Sequence, residues 1–318
     1  MKPTPRKHNF IIGLVLLALF IIGMIGVIAA TGWEETRHHL AKLGWAEYSA
    51  LLGLSLINYL ARGLRWRIYT QALNIPTGIL QDFRHYLGGF ALTITPGRIG
   101  ELIRLRWINR DTGTPLERCA PLVLVDRAAD LVSVALVLAL ATALTAGGLA
   151  GAVPVVAVAI AVAVMATQPR LLAWSITQGW KISGRFPRLF GGLRRAAKQL
   201  YVFAKAPIIL PALLLGGFGW FAEGFAFYLL LGWFGAEIDM WLAVAIFLFA
   251  MLGGGATGLP GGLGGAEAAL VGLLTLQGIP LEISLPATAI IRLTTLWFAI
   301  LIGLGVLPFN ERFAKRVR

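Results

Sequence analysis

Residues 253–273 read GGGATGLPGGLGGAEAALVGL, and residues 91–105 read ALTITPGRIGELIRL. Each interrupts apolar sequence with a Pro-Gly pair, Pro96-Gly97 in one and Pro260-Gly261 in the other. A further glycine follows three positions after the first, at Gly100 and Gly264, and a glutamate lies just beyond, Glu101 and Glu267. An arginine then falls inside an apolar stretch: Arg127 lies 31 residues after Pro96, and Arg292 lies 32 after Pro260. Matched Pro/Gly breaks in two halves of an apolar chain point to a transport or binding site in a repeated membrane fold.

The rest of the chain supports a membrane setting. Of its 318 residues 58% are hydrophobic and only 14% charged, and several apolar runs approach 20 residues. This is the composition of an all-α polytopic membrane protein. No stretch has the length and mixed character of a soluble domain, so a single membrane domain over 1–318 is expected. Lys2, Arg6 and Lys7 precede an apolar run from Phe10 to Ala30, longer than a signal-peptide core and read as a first span. One cysteine, Cys119, excludes an internal disulfide and a multi-cysteine metal site. His8, His38, His39 and His85 lack ligand-like spacing and read as loop or interfacial residues. No cofactor is expected. The net charge of +13 raises nucleic acid as a partner, but the basic residues flank apolar spans, so anionic lipid headgroups fit better.

Charge bias orders the spans. Spanning helices are expected at about 10–30, 47–73, 118–146, 150–167, 207–233 and 284–308, with broken segments at 80–110 and 240–277. The connection 168–206 holds eight Lys or Arg and no acid, and the C-terminus is basic, whereas the loop at Glu237 and Asp239 has no Lys or Arg. With every basic segment on the cytoplasmic side, both termini lie there and six helices span. The two broken segments then enter from opposite faces as re-entrant helical hairpins. That is an inverted repeat, with repeat 1 at about 47–146 and repeat 2 at about 207–308. Two full crossings per hairpin is the other reading. Within 168–206, Trp174, Trp180, Phe186 and Tyr201 alternate with basic residues, as in an interfacial amphipathic helix; a solvated linker is the alternative.

The intramembrane charges are the candidate site. Pro-Gly at a hairpin tip leaves backbone groups that need protein or a water-filled cavity, and a helix starting there aims N–H groups at an anion. Arg127 and Arg292 sit deep in their helices, where an unpaired charge is costly. Asp126 and Asp130 flank Arg127 and share one helix face, and Glu101 and Glu267 are further partners for the arginines. A bidentate arginine suits a phosphodiester, and a structural Arg–carboxylate pair is the competing role. Arg62, Arg65 and Arg67 read either as helix-end anchors or as headgroup ligands. Arg98 sits within the first tip, and Glu223 is a further intramembrane acid and a candidate by its position.

RGLRWRIYTQAL (62–73), TPGRIGELIRL (95–105), APLVLVDRAADL (120–131), GLPGGLGGAEAAL (258–270) and the helix of Arg292 resemble the transmembrane domain of lysylphosphatidylglycerol synthases and related stand-alone flippase-like proteins. The resemblance covers most of 10–308. It implies a domain that moves or binds phospholipids. The family's second motif often carries an arginine where this chain has Ala266. Without an aminoacyltransferase domain the chain is expected not to be an enzyme. The leading expectation is a lipid flippase in a bacterial-type cytoplasmic (inner) membrane, taking an anionic or phosphate-containing headgroup. The alternatives are a non-transporting lipid-binding scaffold beside a separate lipid-modifying enzyme, and a transporter of a small soluble anion.

Overall fold

The structure, a computed structural model, describes residues 43–93, 101–145, 168–184 and 200–313 with a few isolated positions. Among them every regular element is helical. Helix α1 spans Trp45–Ala72; Glu47 in its first turn reaches back to accept from the Gly44 N–H at 2.8 Å. It stops where Asn74 takes a left-handed φ of 51° and the Ile75 N–H bonds the Thr70 carbonyl. Helix α2 (Ile79–Gly88) tightens into a 3-10 turn at Gly89–Leu92. Helix α3 (Ile103–Thr112) ends on left-handed Gly113. Helices α4 (Leu116–Leu144), α5 (Pro169–Ser183) and α6 (Ala206–Trp233) follow. Asp239 caps α7 (Met240–Ala256) by accepting from the Leu242 N–H at 3.0 Å. A 3-10 turn at Pro260–Gly262 leads to α8 (Gly265–Leu276). Helix α9 (Leu281–Arg292), a π-helical turn (Leu293–Trp297) and α10 (Phe298–Phe313) close the chain.

Among the described residues, two helical stretches are long and apolar enough to cross a membrane, Ala206–Trp233 and Leu281–Glu311. The predicted spans 207–233 and 284–308 fall on them. The spans predicted at 47–73 and 118–146 fall on α1 and α4, helices of 28 and 29 residues that carry charges along their length. Those predicted at 10–30 and 150–167 lie outside the described residues, apart from isolated positions. Each broken segment is a pair of short helices. In the second, α7 has 17 residues and α8 has 12. At 1.5 Å per residue they rise only about 25 and 18 Å, against a hydrocarbon core of about 30 Å.

The chain divides into two compact units. One comprises Met1–Leu56, Leu87–Glu101 and Glu223–Pro308. In it α7 and α8 lie so close that a Cβ on Gly254 would stand 2.6 Å from the Ala266 Cβ. Gly303 of α10 likewise meets the first broken segment; a Cβ there would be 2.2 Å from the Ala91 backbone N. Leu296, Trp297 and Ile300 form a buried cluster with Leu92 and Leu263 packed against it. Residues just before the first Pro-Gly and just after the second therefore converge on the π turn. The π turn on which Leu92 and Leu263 pack has no sequence signature.

The other unit comprises Ile57–Tyr86, Leu102–Ala222 and Phe309–Arg318. Its core carries charge. Arg62 and Arg65 of α1 reach across to Asp126 and Asp130 of α4. Gly216 and Gly219 let the α6 backbone approach: a Cβ on Gly216 would be 2.8 Å from Arg65 Nη1, and one on Gly219 2.5 Å from Asn58 Oδ1. Helix α5 presents exposed Leu171, Trp174 and Trp180 beside Arg170 and Lys181, the mixture expected of an interfacial helix. The remainder of the predicted amphipathic stretch, 185–199, lies outside the described residues except for one isolated position.

Candidate functional site

The spacing of Asn58, Arg62 and Arg65 puts their side chains on one face of α1. Asp126 and Asp130, one turn apart, share the opposing face of α4. Arg65 has no exposed surface and Asp126 is 1% exposed. A single nitrogen of Arg65, Nη2, donates to both carboxylates, at 2.6 Å to Asp126 Oδ1 and 2.6 Å to Asp130 Oδ1. It also lies 3.4 Å from the Asp126 carbonyl. Arg62 Nη2 donates to Asp130 Oδ2. Arg104 and Arg127 each approach one of these carboxylates at 3.9 Å. Buried Arg104 also lies 4.2 Å over the Tyr86 ring and 5.6 Å from that of Trp66. Four arginines thus converge on two aspartates.

The Arg62 and Arg65 side chains correct one expectation. As helix-end anchors they would snorkel to the headgroups; instead both are buried and paired. The carboxylates of α4, not the interface, pair with them. Arg67, read with them, donates to Asp82 Oδ2 at 2.8 Å and to the Thr77 carbonyl, tying α1 to α2.

The second Pro-Gly break has its own charge site. Arg292, at the end of α9, uses all three guanidinium nitrogens. Nε donates to Glu267 Oε1 at 2.6 Å, Nη2 to the Gly261 carbonyl at 2.9 Å, and Nη1 meets Met251 Sδ at 3.6 Å. Gly261 and Gly262 hold φ of 62° and 69°, a left-handed pair that only glycine adopts without strain. The arginine closes the tip by satisfying a carbonyl the turn leaves over. The predicted Arg292–Glu267 pairing is present, and Gly264, with φ 81°, caps α8.

Among the first break's residues, Pro96, Gly97, Arg98 and Gly100 lie outside the described residues. Glu101 is buried and accepts from the Thr93 hydroxyl at 3.1 Å. Arg127 is the most solvent-accessible arginine of the α4 centre, its side chain 32% exposed. Glu223 is buried in α6. Sequence reasoning did not single out Asn58, Arg104 or Trp220. Asn58, a lone amide in an apolar run, was the available signal for the first.

A third charge cluster lies at the end of α3. Asp111 accepts from Arg84 Nη2 at 2.7 Å and Arg110 Nε at 2.8 Å, and lies 2.9 Å from His85 Nε2. His85 is fully buried and stacks on Trp107. That corrects its reading as a loop or interfacial residue: the acid of a neighbouring helix and an aromatic face hold it inside. Burial pushes Asp111 up, but the hydrogen bonds from His85, Arg110 and Gln81 outweigh it and hold the carboxyl well below its usual range.

The family profile described as "Lysylphosphatidylglycerol synthase TM region" matches residues 10–303. The chain belongs to this family. A "UPF0104 membrane protein" of Methanothermobacter thermautotrophicus is 24% identical over 330 residues, covering 95% of this chain and 96% of the relative. With its apolar helices, this family member is a multi-pass membrane protein.

Proposed function

We propose that this chain translocates a lipid between leaflets, taking a phosphate-containing or anionic headgroup. The observation that carries the reading is the arginine–aspartate centre of α1 and α4. Buried ion pairs are poor stabilisers, because desolvation offsets most of the attraction. Intramembrane charges that face a protein interior commonly mark ligand or ion paths. The arms of the second break, short for the bilayer, support a re-entrant hairpin, and the charge bias supports two hairpins entering from opposite faces. The basic connection and termini support a cytoplasmic-membrane protein with both ends inside. No bond needs to be made or broken, so the role is non-enzymatic.

Reconstitution tests this. Vesicles carrying the protein should expose inner-leaflet fluorescent phosphatidylglycerol to an external quencher faster than empty vesicles do. Arg65→Lys, which keeps the charge and loses the fork, should slow that at least tenfold. Failure to move a lipid of any headgroup would overturn the reading. A static lipid-holding scaffold beside a lipid-modifying enzyme draws on one observation, the fully engaged Arg292, which favours a fixed tip.

A further inference from the structure

The faces of α1 and α6 that meet around Asn58 and Trp220 hold an unusual set of buried polar atoms. Asn58 Nδ2 and Oδ1, Arg62 Nε, Arg65 Nε and Nη1, and Trp220 Nε1 are all buried without a hydrogen-bond partner. Their residues are between 0% and 9% exposed. Five of the six atoms are donors and only Asn58 Oδ1 accepts. Buried donors are almost always satisfied, so a cluster this one-sided calls for an acceptor. The carboxylates nearby do not supply it, because Arg65 spends one nitrogen on both and its other two make no hydrogen bond.

Helix α6 packs directly on these donors. Gly216 and Gly219 bring bare backbone against Arg65 and Asn58, and Arg62 lies 5.5 Å from the centre of the Trp220 ring. Guanidinium forks match the oxygens of a phosphate bidentately, and a phosphoryl group accepts from several donors at once. The face of α6 bearing Leu210, Leu214 and Phe218 is exposed and apolar.

We propose that the Asn58–Arg62–Arg65–Trp220 seam binds a phosphate oxyanion, delivered as the phosphodiester of a membrane phospholipid. The source of the oxyanion rests on the lipid-handling reading above; its binding is measured at equilibrium, without leaflet movement.

The test is native mass spectrometry of the full chain in neutral detergent, titrated with dioleoyl phosphatidylglycerol, with dioleoylglycerol, and with inorganic phosphate as competitor. One phosphatidylglycerol should be retained per chain at a concentration at least tenfold below that for dioleoylglycerol. Asn58→Asp places a carboxylate acceptor among the donors. It should keep or raise the thermal midpoint while weakening phosphatidylglycerol retention at least tenfold. If that variant cannot be recovered, Trp220→Phe removes one donor, keeps the ring over Arg62, and should weaken retention severalfold. Competition by millimolar phosphate would support the oxyanion site and move its source to solution; retention without competition assigns the lipid. Equal retention of the two lipids, or unchanged retention in the variants, would mean that water fills the seam and would overturn the proposal. A protein that retains phosphatidylglycerol yet moves no lipid would leave this site standing and remove the translocation reading alone.

Discussion

Arg65 and Arg292 are both buried arginines bonded to carboxylates within an apolar chain, and they are used in opposite ways. Arg292 engages every nitrogen: a carboxylate, a turn carbonyl and a sulfur. Arg65 serves two carboxylates through Nη2 alone and leaves Nε and Nη1 without acceptors. Burial and charge are thus no guide to role. The count of unmet hydrogen bonds separates a saturated latch, which fixes a hairpin, from a guanidinium with capacity for a ligand.

The comparison breaks first at Arg65. Arg65→Met leaves two buried carboxylates to the remaining arginines, and removing one partner of a buried ion pair costs about 3–5 kcal/mol. The expected result is little folded protein in detergent, read by size-exclusion profile and thermal melting. A stable, monodisperse variant would show that the α1–α4 centre is wet and screened rather than buried.

Arg292→Lys asks for less. A lysine reaches one partner where arginine has three, so charge is kept while the bonds to Gly261 and Met251 are lost. Charge-assisted hydrogen bonds are worth about 1.5–3 kcal/mol each, which bounds the loss. The protein should fold, and amide hydrogen exchange over 258–267 should rise while that of α4 stays unchanged. Unchanged exchange at the tip would show that the glycine turn holds itself and that Arg292 is no latch.

How much of this could be read in the chain depends on the range of each interaction. The helical class and the two breaks were legible because composition and Pro-Gly placement are local. The Glu267–Arg292 pair was legible because a deep charge needs a partner and few acids were on offer. The centre around Arg65 was not. Its partners lie 61 and 65 residues away, and RGLRWR at the end of an apolar run looks the same whether it snorkels or turns inward. Only packing of α4 on α1 decides. The π turn at Leu293–Trp297 was equally hidden, since it is a backbone detail beside a cluster on which distant Leu92 and Leu263 pack.

The smallest effect is expected at Asp111, the acid of a charge cluster outside the spanning helices and a foil to both buried arginines. Its carboxyl lies below the ordinary range in the folded state, because the bonds from His85, Arg110 and Gln81 outweigh burial. A depressed folded value means that the cluster contributes fully above the unfolded carboxylate value of about 3.9, and that the contribution fades as pH falls below it. Thermal midpoints should therefore be flat from pH 7 to pH 5 and drop below pH 4. Asp111→Asn keeps the size and loses the charge, so its midpoint should start lower at pH 7 and lose less in acid, the two curves converging. Parallel curves would show that the cluster only orients α3 and stores no pH-dependent stability. Arg65 and Arg292 would then hold the charges on which the fold depends.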